Sequence, residues 1–366
     1  MLFLDLLPAY HELKPELDAA YFRFMESGWY VLGAEVDNFE KHWAEYCGTA
    51  HCVGVSSGLD ALSLSLEAAG IRPGDEVIVP ANTYIATWLA VSQLGAAPVP
   101  VEPEAHSFNI DPARIEAAIT PRTAAIIAVH LFGAPADMEP IMRIAEKHHL
   151  FVLEDNAQSQ GAVYHGRRTG NLGHAAAVSF YPAKNIGAFG EAGGVTTNDA
   201  ALADKIRVLR NYGSRIKYHN EVKGYNRRLD ALQAAFLAVK IAKLDEWNRR
   251  RRQTAVRYLD GLKNIDGLLI PYRQPEDSVW HQFVVRVENR NEVRAELEKL
   301  GVPTMIHYPV PPHLSGAYRS AGFQRGAFPL TEHLADTSLS LPIGPHMPEA
   351  DTDTVIAAVR KVLSQK

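Results

Sequence analysis

Ser179-Phe180-Tyr181-Pro182-Ala183-Lys184-Asn185-Ile186-Gly187-Ala188-Phe189-Gly190-Glu191-Ala192-Gly193-Gly194 sets one lysine between an apolar run and a glycine-rich loop. Burial among small, apolar neighbours disfavours an ammonium, so the Lys184 amine is suited to attack an aldehyde carbon and form a Schiff base. Pyridoxal phosphate chemistry requires such an amine. Gly187, Gly190, Gly193 and Gly194 permit tight turns and a close backbone approach to a bulky planar ligand. A lone lysine beside a glycine loop is otherwise an ordinary surface feature, so the reading needs partners elsewhere in the chain.

Strand ends supply them. Around this stretch the pattern alternates, with strands at His51–Ser56, Glu76–Pro80, Pro98–Val101, Ala124–Leu131, Phe151–Leu153, Ala176–Phe180 and Val195–Thr197, mostly joined by helical segments. Such a rhythm predicts an α/β fold with a seven-stranded, mostly parallel sheet covered on both faces, whose ligands gather at the strands' carboxyl ends. Asp155, delivered there by Phe151-Val152-Leu153, can pair with a pyridine nitrogen and keep it protonated; the bland reading is a helix cap after a strand. Gln158 lies close by, suited to the ring hydroxyl or face. Ser56-Ser57-Gly58-Leu59 falls between strand and helix, where free amides hold a phosphate without a basic side chain. It matches neither a Walker loop nor a dinucleotide fingerprint.

After Arg228 the composition changes. Leu229–Trp247 reads as a long apolar helix that Asn248–Lys263 continues with more charge, followed by a strand near Gln282–Val287 and helices over Glu292–Leu300 and Asp351–Ser364. We therefore expect a large cofactor-binding unit over residues 1–247, its N-terminal residues placed to pack on a smaller C-terminal α+β unit over 248–366.

The chain has 366 residues, 47% hydrophobic and 22% charged, ample for a buried core and about two domains. A net charge of -5 without a long basic run argues against nucleic acid as a partner, and Arg249–Arg252 reads as a solvated helix face. Cys47 and Cys52 suggest neither a disulfide framework nor a zinc site, and the histidine pairs lack metal-ligand spacing. No apolar run reaches the roughly 18 residues of a membrane span, and Met1–Tyr10 lacks a signal-peptide pattern. The expectation is a soluble cytoplasmic protein with no membrane partner and no metal.

Three stretches carry a resemblance: Ser179–Lys184 with its glycines, Glu154-Asp155-Asn156-Ala157-Gln158, and Gly224-Tyr225-Asn226-Arg227-Arg228-Leu229-Asp230. The chain resembles, over almost its whole length, the DegT-type sugar aminotransferases, pyridoxal phosphate enzymes of fold type I, like aspartate aminotransferase. The resemblance implies that Lys184 holds the cofactor as a Schiff base, Asp155 pairs with its ring nitrogen, and Gln158 contacts the ring region. Ser179 and the amides of Gly58 and Leu59 would hold the phosphate. Asn226 matches an asparagine that completes the phosphate site of a neighbouring subunit, which implies a homodimer with shared active sites. The family often has threonine where this chain has Leu59, so backbone contacts alone remain there. Tyr84 matches an aromatic that stacks on the cofactor, though as sequence it equally reads as a helix-start core residue.

Tyr212–Lys223 and Met305–His313 resemble most closely the branch that makes 3-amino sugars from dTDP-3-keto-6-deoxyhexoses. Tyr181, Lys217, Tyr218, His307 and Tyr308 are the expected contacts to a nucleotide sugar, against the plainer reading of a polar dimer rim and a structural proline-rich loop. Glutamate is the amino donor that the resemblance implies. Lys184, freed when the donor displaces it, would move the proton between the donor's α carbon and the cofactor, and the amino group would then pass to the keto sugar. The alternatives are a perosamine-type 4-keto sugar aminotransferase and, in another class, a noncatalytic regulator. The regulator reading predicts damage at Lys184 or Asp155. A sugar dehydratase of the same family would carry histidine in place of Lys184, and a nucleotide-dependent oxidoreductase would need the missing glycine fingerprint.

Overall fold

A computed structural model describes residues 1–270 and 277–364; residues 271–276 and 365–366, in the expected C-terminal unit, lie outside the described residues. The central sheet consists of β1 (His51–Val55), β2 (Glu76–Pro80), β3 (Ala97–Val101), β4 (Thr123–Val129), β5 (Phe151–Asp155), β6 (Ala175–Ser179) and β7 (Gly193–Thr197). Their order is β1-β7-β6-β5-β4-β2-β3. β7 runs antiparallel to both neighbours, and the remaining pairs are parallel. Because β7 opposes β1 and β6 alike, those two point the same way, and the carboxyl ends of β1, β2, β5 and β6 share one edge. All seven expected strands are present, with ends displaced by a few residues.

Period-two alternation buries both faces. Val77, Val79, Ala125, Ile127, Val129 and Leu153 enter one apolar cluster, while Ile78, Ile126, Ala128 and Val152 enter another. The first is covered by α4 (Gly58–Ala68), α5 (Ala86–Ser92) and α8 (Ala200–Leu209), and the second by α7 (Met138–His148). The other helices preceding α9 are α1 (Leu7–Glu12), α2 (Lys14–Ser27), α3 (Ala34–Cys47) and α6 (Pro112–Ile115).

α9 (Ala231–Gly261) runs unbroken for 31 residues from its N-cap Asp230, whose side chain accepts from the Leu232 amide. The expected boundary at 247/248 falls inside it. Ala231, Ala234, Leu237 and Leu244 pack with Trp43 and Phe180, whereas Ala255 and Tyr258 pack with β9 (Phe283–Val287), β10 (Ser338–Leu341), α10 (Arg290–Lys299) and α12 (Glu349–Leu363). β8 (Leu268–Leu269) completes that smaller antiparallel sheet, and α11 (Pro329–Thr337) precedes β10. The N-terminal segment reaches the C-terminal residues, with Phe3 6.2 Å from the His307 ring and Glu12 Oε2 2.6 Å from His346 Nε2.

Arg249–Arg252 is not wholly the solvated face expected. Arg249 and Arg250 do pair with Glu246 near the surface, but Arg251 is 2% exposed. It follows Trp247 by four residues and precedes Ala255 by four, so helical spacing turns it inward with them. Among the described residues no helix is long and apolar enough to cross a membrane.

Candidate active site

Phe180 anchors the lysine loop by meeting Trp43 and Phe39 edge-on, with centroids 5.0 and 5.3 Å away. The loop then folds on itself, the Lys184 amide donating to Tyr181 O at 2.9 Å and the Ala188 amide to Phe180 O at 2.7 Å. Two of its glycines are required by close backbone approach: a Cβ on Gly187 would lie 2.3 Å from Pro182 O, and one on Gly193 2.3 Å from Ser57 O. None of the four glycines has a positive φ, so no left-handed turn calls for them here. Lys184 itself is partly buried. Desolvation lowers its pKa to about 8, opposed by the negative charge of Asp155.

Asp155 ends β5 and is 6% exposed. Its Oδ2 accepts from Thr87 Oγ1 at 2.9 Å and its Oδ1 from the Ala157 amide at 3.2 Å. Burial raises its pKa, and these donors and Lys184 pull the other way. Glu154 projects to the opposite face and has a different job. It accepts from the amides of Gly170, Leu172 and Gly173 at 2.7, 2.7 and 2.8 Å and lies 2.9 Å from His130 Nε2. The Ala136 amide donates to His130 Nδ1 at 3.0 Å, which places the imidazole proton on Nε2, toward Glu154. Gln158 is fixed at both ends: Oε1 accepts from the Phe132 amide at 2.7 Å, and Nε2 donates to the Tyr308 hydroxyl at 3.0 Å. Tyr308 in turn meets Tyr84 at 5.1 Å. Tyr84 lies ahead of α5, not within it, and is 52% exposed, so it is no core residue.

At the other end of the site Ser57 caps α4, its Oγ accepting from the Asp60 amide at 3.1 Å. Gly58 and Leu59 therefore carry the first two helical amides, which have no acceptor within the helix. Ser179 closes against them, since a Cβ on Gly58 would lie 2.6 Å from Ser179 Cβ. The Leu59 side chain packs on the main core, consistent with a backbone role alone. Asp60, in this same turn, is paired with Arg227 Nε at 2.9 Å.

His307 donates to or accepts from Ser340 Oγ through Nδ1 at 2.7 Å, and desolvation, with the nearby Lys184 charge, holds its pKa down to about 4. Sequence reasoning missed its neighbour His281, buried with Nδ1 3.1 Å from Asn185 Oδ1 and held neutral by desolvation, then by Lys184. It also missed Thr87. Neither carries a local motif, and their roles arise from contacts across long stretches of chain. Tyr181 sits at the mouth of the lysine loop, 49% exposed. Lys217 and Tyr218 lie apart, on the exposed ribbon formed by Ser214–Ile216 and His219–Asn220, with Lys217 Nζ 5.1 Å from the Tyr218 centroid. Asn226 is likewise exposed, bridged to Asn211. One chain thus assembles Lys184, Asp155, Gln158, Ser179, Gly58, Leu59, Tyr84, His307 and Tyr308, and leaves Lys217, Tyr218 and Asn226 facing outward.

These residues fit pyridoxal phosphate. Asp155 retains acceptor capacity for a protonated ring nitrogen, the desolvated Lys184 suits Schiff-base formation, and the Gly58–Ser179 contact forms a cradle that any side chain at 58 would fill. The architecture and site define a fold type I pyridoxal phosphate aminotransferase. The profile of the DegT/DnrJ/EryC1/StrS aminotransferase family matches residues 12–360, and the chain belongs to that family. The chain is 54% identical to the erythromycin biosynthesis sensory transduction protein EryC1 of Saccharopolyspora erythraea, covering 98% of each chain. It is 52% identical to the dTDP-3-amino-3,4,6-trideoxy-alpha-D-glucose transaminase of Streptomyces venezuelae, over 98% of this chain and 95% of that one. The crystal structure of S. venezuelae DesV superposes with a TM-score of 0.96 at 52% identity, over 98% of this chain and 97% of the other.

Proposed function

We propose that this chain transfers an amino group from glutamate to the keto carbon of a dTDP-linked 3-keto-6-deoxyhexose, giving the 3-amino sugar. The observation that carries this reading is the intact pairing of a desolvated Lys184 with a buried Asp155, in a chain about half identical to a dTDP-3-amino sugar transaminase along its length. Bound pyridoxal phosphate supplies an electron sink for the carbanion left when the donor's α proton departs. Lys184 anchors the cofactor and, once displaced, carries that proton. Asp155 would hold the ring nitrogen protonated, Gln158 would border the ring, and Ser179 with the Gly58 and Leu59 amides would hold the phosphate.

The active unit in this proposal is a homodimer in which Asn226, Lys217 and Tyr218 serve the partner's site. Their outward placement supports it, as do the exposed apolar side chains of Phe22, Trp29 and Tyr30 at 59%, 66% and 51%. The reading includes a division near residue 247 into a cofactor-binding and a smaller C-terminal unit. It also places the protein in the cytoplasm, to which the free, buried Cys47 and Cys52 are suited. Lys184 and Asp155 are undamaged, which favours the enzyme over a regulator. Turnover of 3-keto and 4-keto dTDP-sugars at equal concentration with glutamate tests the assignment. Preference for the 3-keto isomer is expected; preference for the 4-keto isomer would overturn the sugar assignment and leave the aminotransferase standing.

A further inference from the structure

The helical turn whose amides would hold the phosphate also carries a carboxylate. Asp60 is the third residue of α4, directly after Gly58 and Leu59. Its Oδ2 accepts from Ser56 Oγ at 2.5 Å and from Ser57 Oγ at 3.1 Å, so the protons of both hydroxyls are committed to Asp60. Leu59 brings no hydroxyl, and its side chain packs on the core. The amides of Gly58 and Leu59 remain, with Ser179 beside them. Ser179 Oγ accepts from the Tyr181 amide at 3.3 Å, which leaves its own proton to give.

A carboxylate in the first turn suits the helix dipole, but it repels the same anion that the free amides attract. Arg227 answers that charge. Its Nε lies 2.9 Å from Asp60 Oδ1, with each side chain 21% exposed. The guanidinium is fastened on two further sides: Nη1 donates to Ser63 Oγ at 2.8 Å, one turn along α4, and Cζ lies 4.1 Å from the Tyr225 centroid. The backbone is stitched down as well, the Arg227 carbonyl accepting from the Ser56 amide at 3.1 Å and its amide donating to Arg210 O at 3.0 Å. A long side chain tied at this many points does not pay the ordering entropy that makes loose surface pairs worth little.

We propose that Arg227 is a positioning residue for the phosphate cradle: it neutralises Asp60, so that this carboxylate orders Ser56 and Ser57 without repelling the cofactor's phosphate. The proposal rests on the reading of the Gly58 and Leu59 amides given above, and adds the charge balance under which they work.

The test compares the affinity of the cofactor-free protein for pyridoxal phosphate and for pyridoxal, which lacks the phosphate, both followed by absorbance. Arg227→Met should weaken pyridoxal phosphate about five- to tenfold and leave pyridoxal unchanged, with the loss shrinking as salt is added. Removing the second charge as well, in Asp60→Asn/Arg227→Met, should restore pyridoxal phosphate to within about twofold of the wild type, a recovery that a purely structural arginine would not show. If Arg227→Met does not fold, Asp60→Asn alone decides: with its arginine unpaired it should favour pyridoxal phosphate over pyridoxal more than the wild type does. Equal weakening of both ligands, an unchanged affinity for pyridoxal phosphate, a double variant no better than Arg227→Met, or no gain in Asp60→Asn would overturn the pair's role. A wild type that binds pyridoxal as tightly as pyridoxal phosphate would remove the cradle and the proposal with it. Binding is read without turnover, so a protein that shows these contrasts but aminates no sugar would sink the proposed function and keep the pair.

Discussion

Thr87 Oγ1 donates a 2.9 Å hydrogen bond to Asp155 Oδ2, and Thr83 Oγ1 lies 2.9 Å beyond, with all three side chains buried. Asp155 must be ionised to pair with a protonated ring nitrogen, yet burial favours its neutral form. The Thr87 hydroxyl offsets part of that penalty. Thr87→Val keeps the shape and removes the donor, so it should weaken pyridoxal phosphate by about 1–2 kcal/mol, roughly 5- to 30-fold in Kd. Thr87→Ser should retain most of the affinity. Absorbance titration of the cofactor-free protein measures both, and a valine variant as tight as the wild type would remove Thr87 from this role.

Lys184 sets a pH dependence whose sign can be worked out. Folded, it gives up its proton near pH 8, whereas the unfolded chain keeps it to about 10.5. Between those values the unfolded state binds more protons, so Lys184 makes stability rise with pH. Lys240 acts with the same sign. The buried thiols of Cys47 and Cys52, whose pKa values burial raises, act oppositely above about pH 9. Comparison with Lys184→Met isolates the lysine: the thermal midpoint of the cofactor-free wild type should gain on the variant between pH 8 and 10. The variant should also lose the visible band of the lysine-bound cofactor and all turnover. Equal midpoint slopes would mean that Lys184 is not desolvated.

Glu154 and Asp155 are adjacent carboxylates with different consequences. Removing Glu154 strands the Gly170, Leu172 and Gly173 amides and His130 without their acceptor. Glu154→Ala should therefore destabilise the fold by about 3–5 kcal/mol in urea unfolding, whereas Asp155→Ala should abolish cofactor binding. A stable Glu154→Ala protein would show that water replaces the carboxylate.

A shared active site predicts complementation. Mixing Lys184→Ala with Asn226→Ala subunits gives mixed dimers with one intact and one doubly damaged site, so a statistical mixture should regain about a quarter of the wild-type sites. Activity per confirmed mixed dimer is the measurement. Failure to recover would place Asn226 outside the partner's site.

The apolar runs with period-two and helical spacing determine the seven strands and their covering helices, because alternation alone dictates which residues must leave water. The same local reading places Asp155, Ser179 and the Gly58 amides at strand ends, and Lys184 in its loop. It does not distinguish Glu154 from Asp155 in purpose. That difference comes from what each face of β5 meets, a lattice of loop amides on one side and Thr87 on the other. Nor does spacing reveal that Arg251, one of four consecutive arginines, turns into the core beside His281, or that Lys240 closes on Gly187. Hydrophobic periodicity states that an element has an apolar face and leaves its partner open. Only the folded chain decides which buried charges go unpaired, because pairing depends on contacts between segments far apart in sequence.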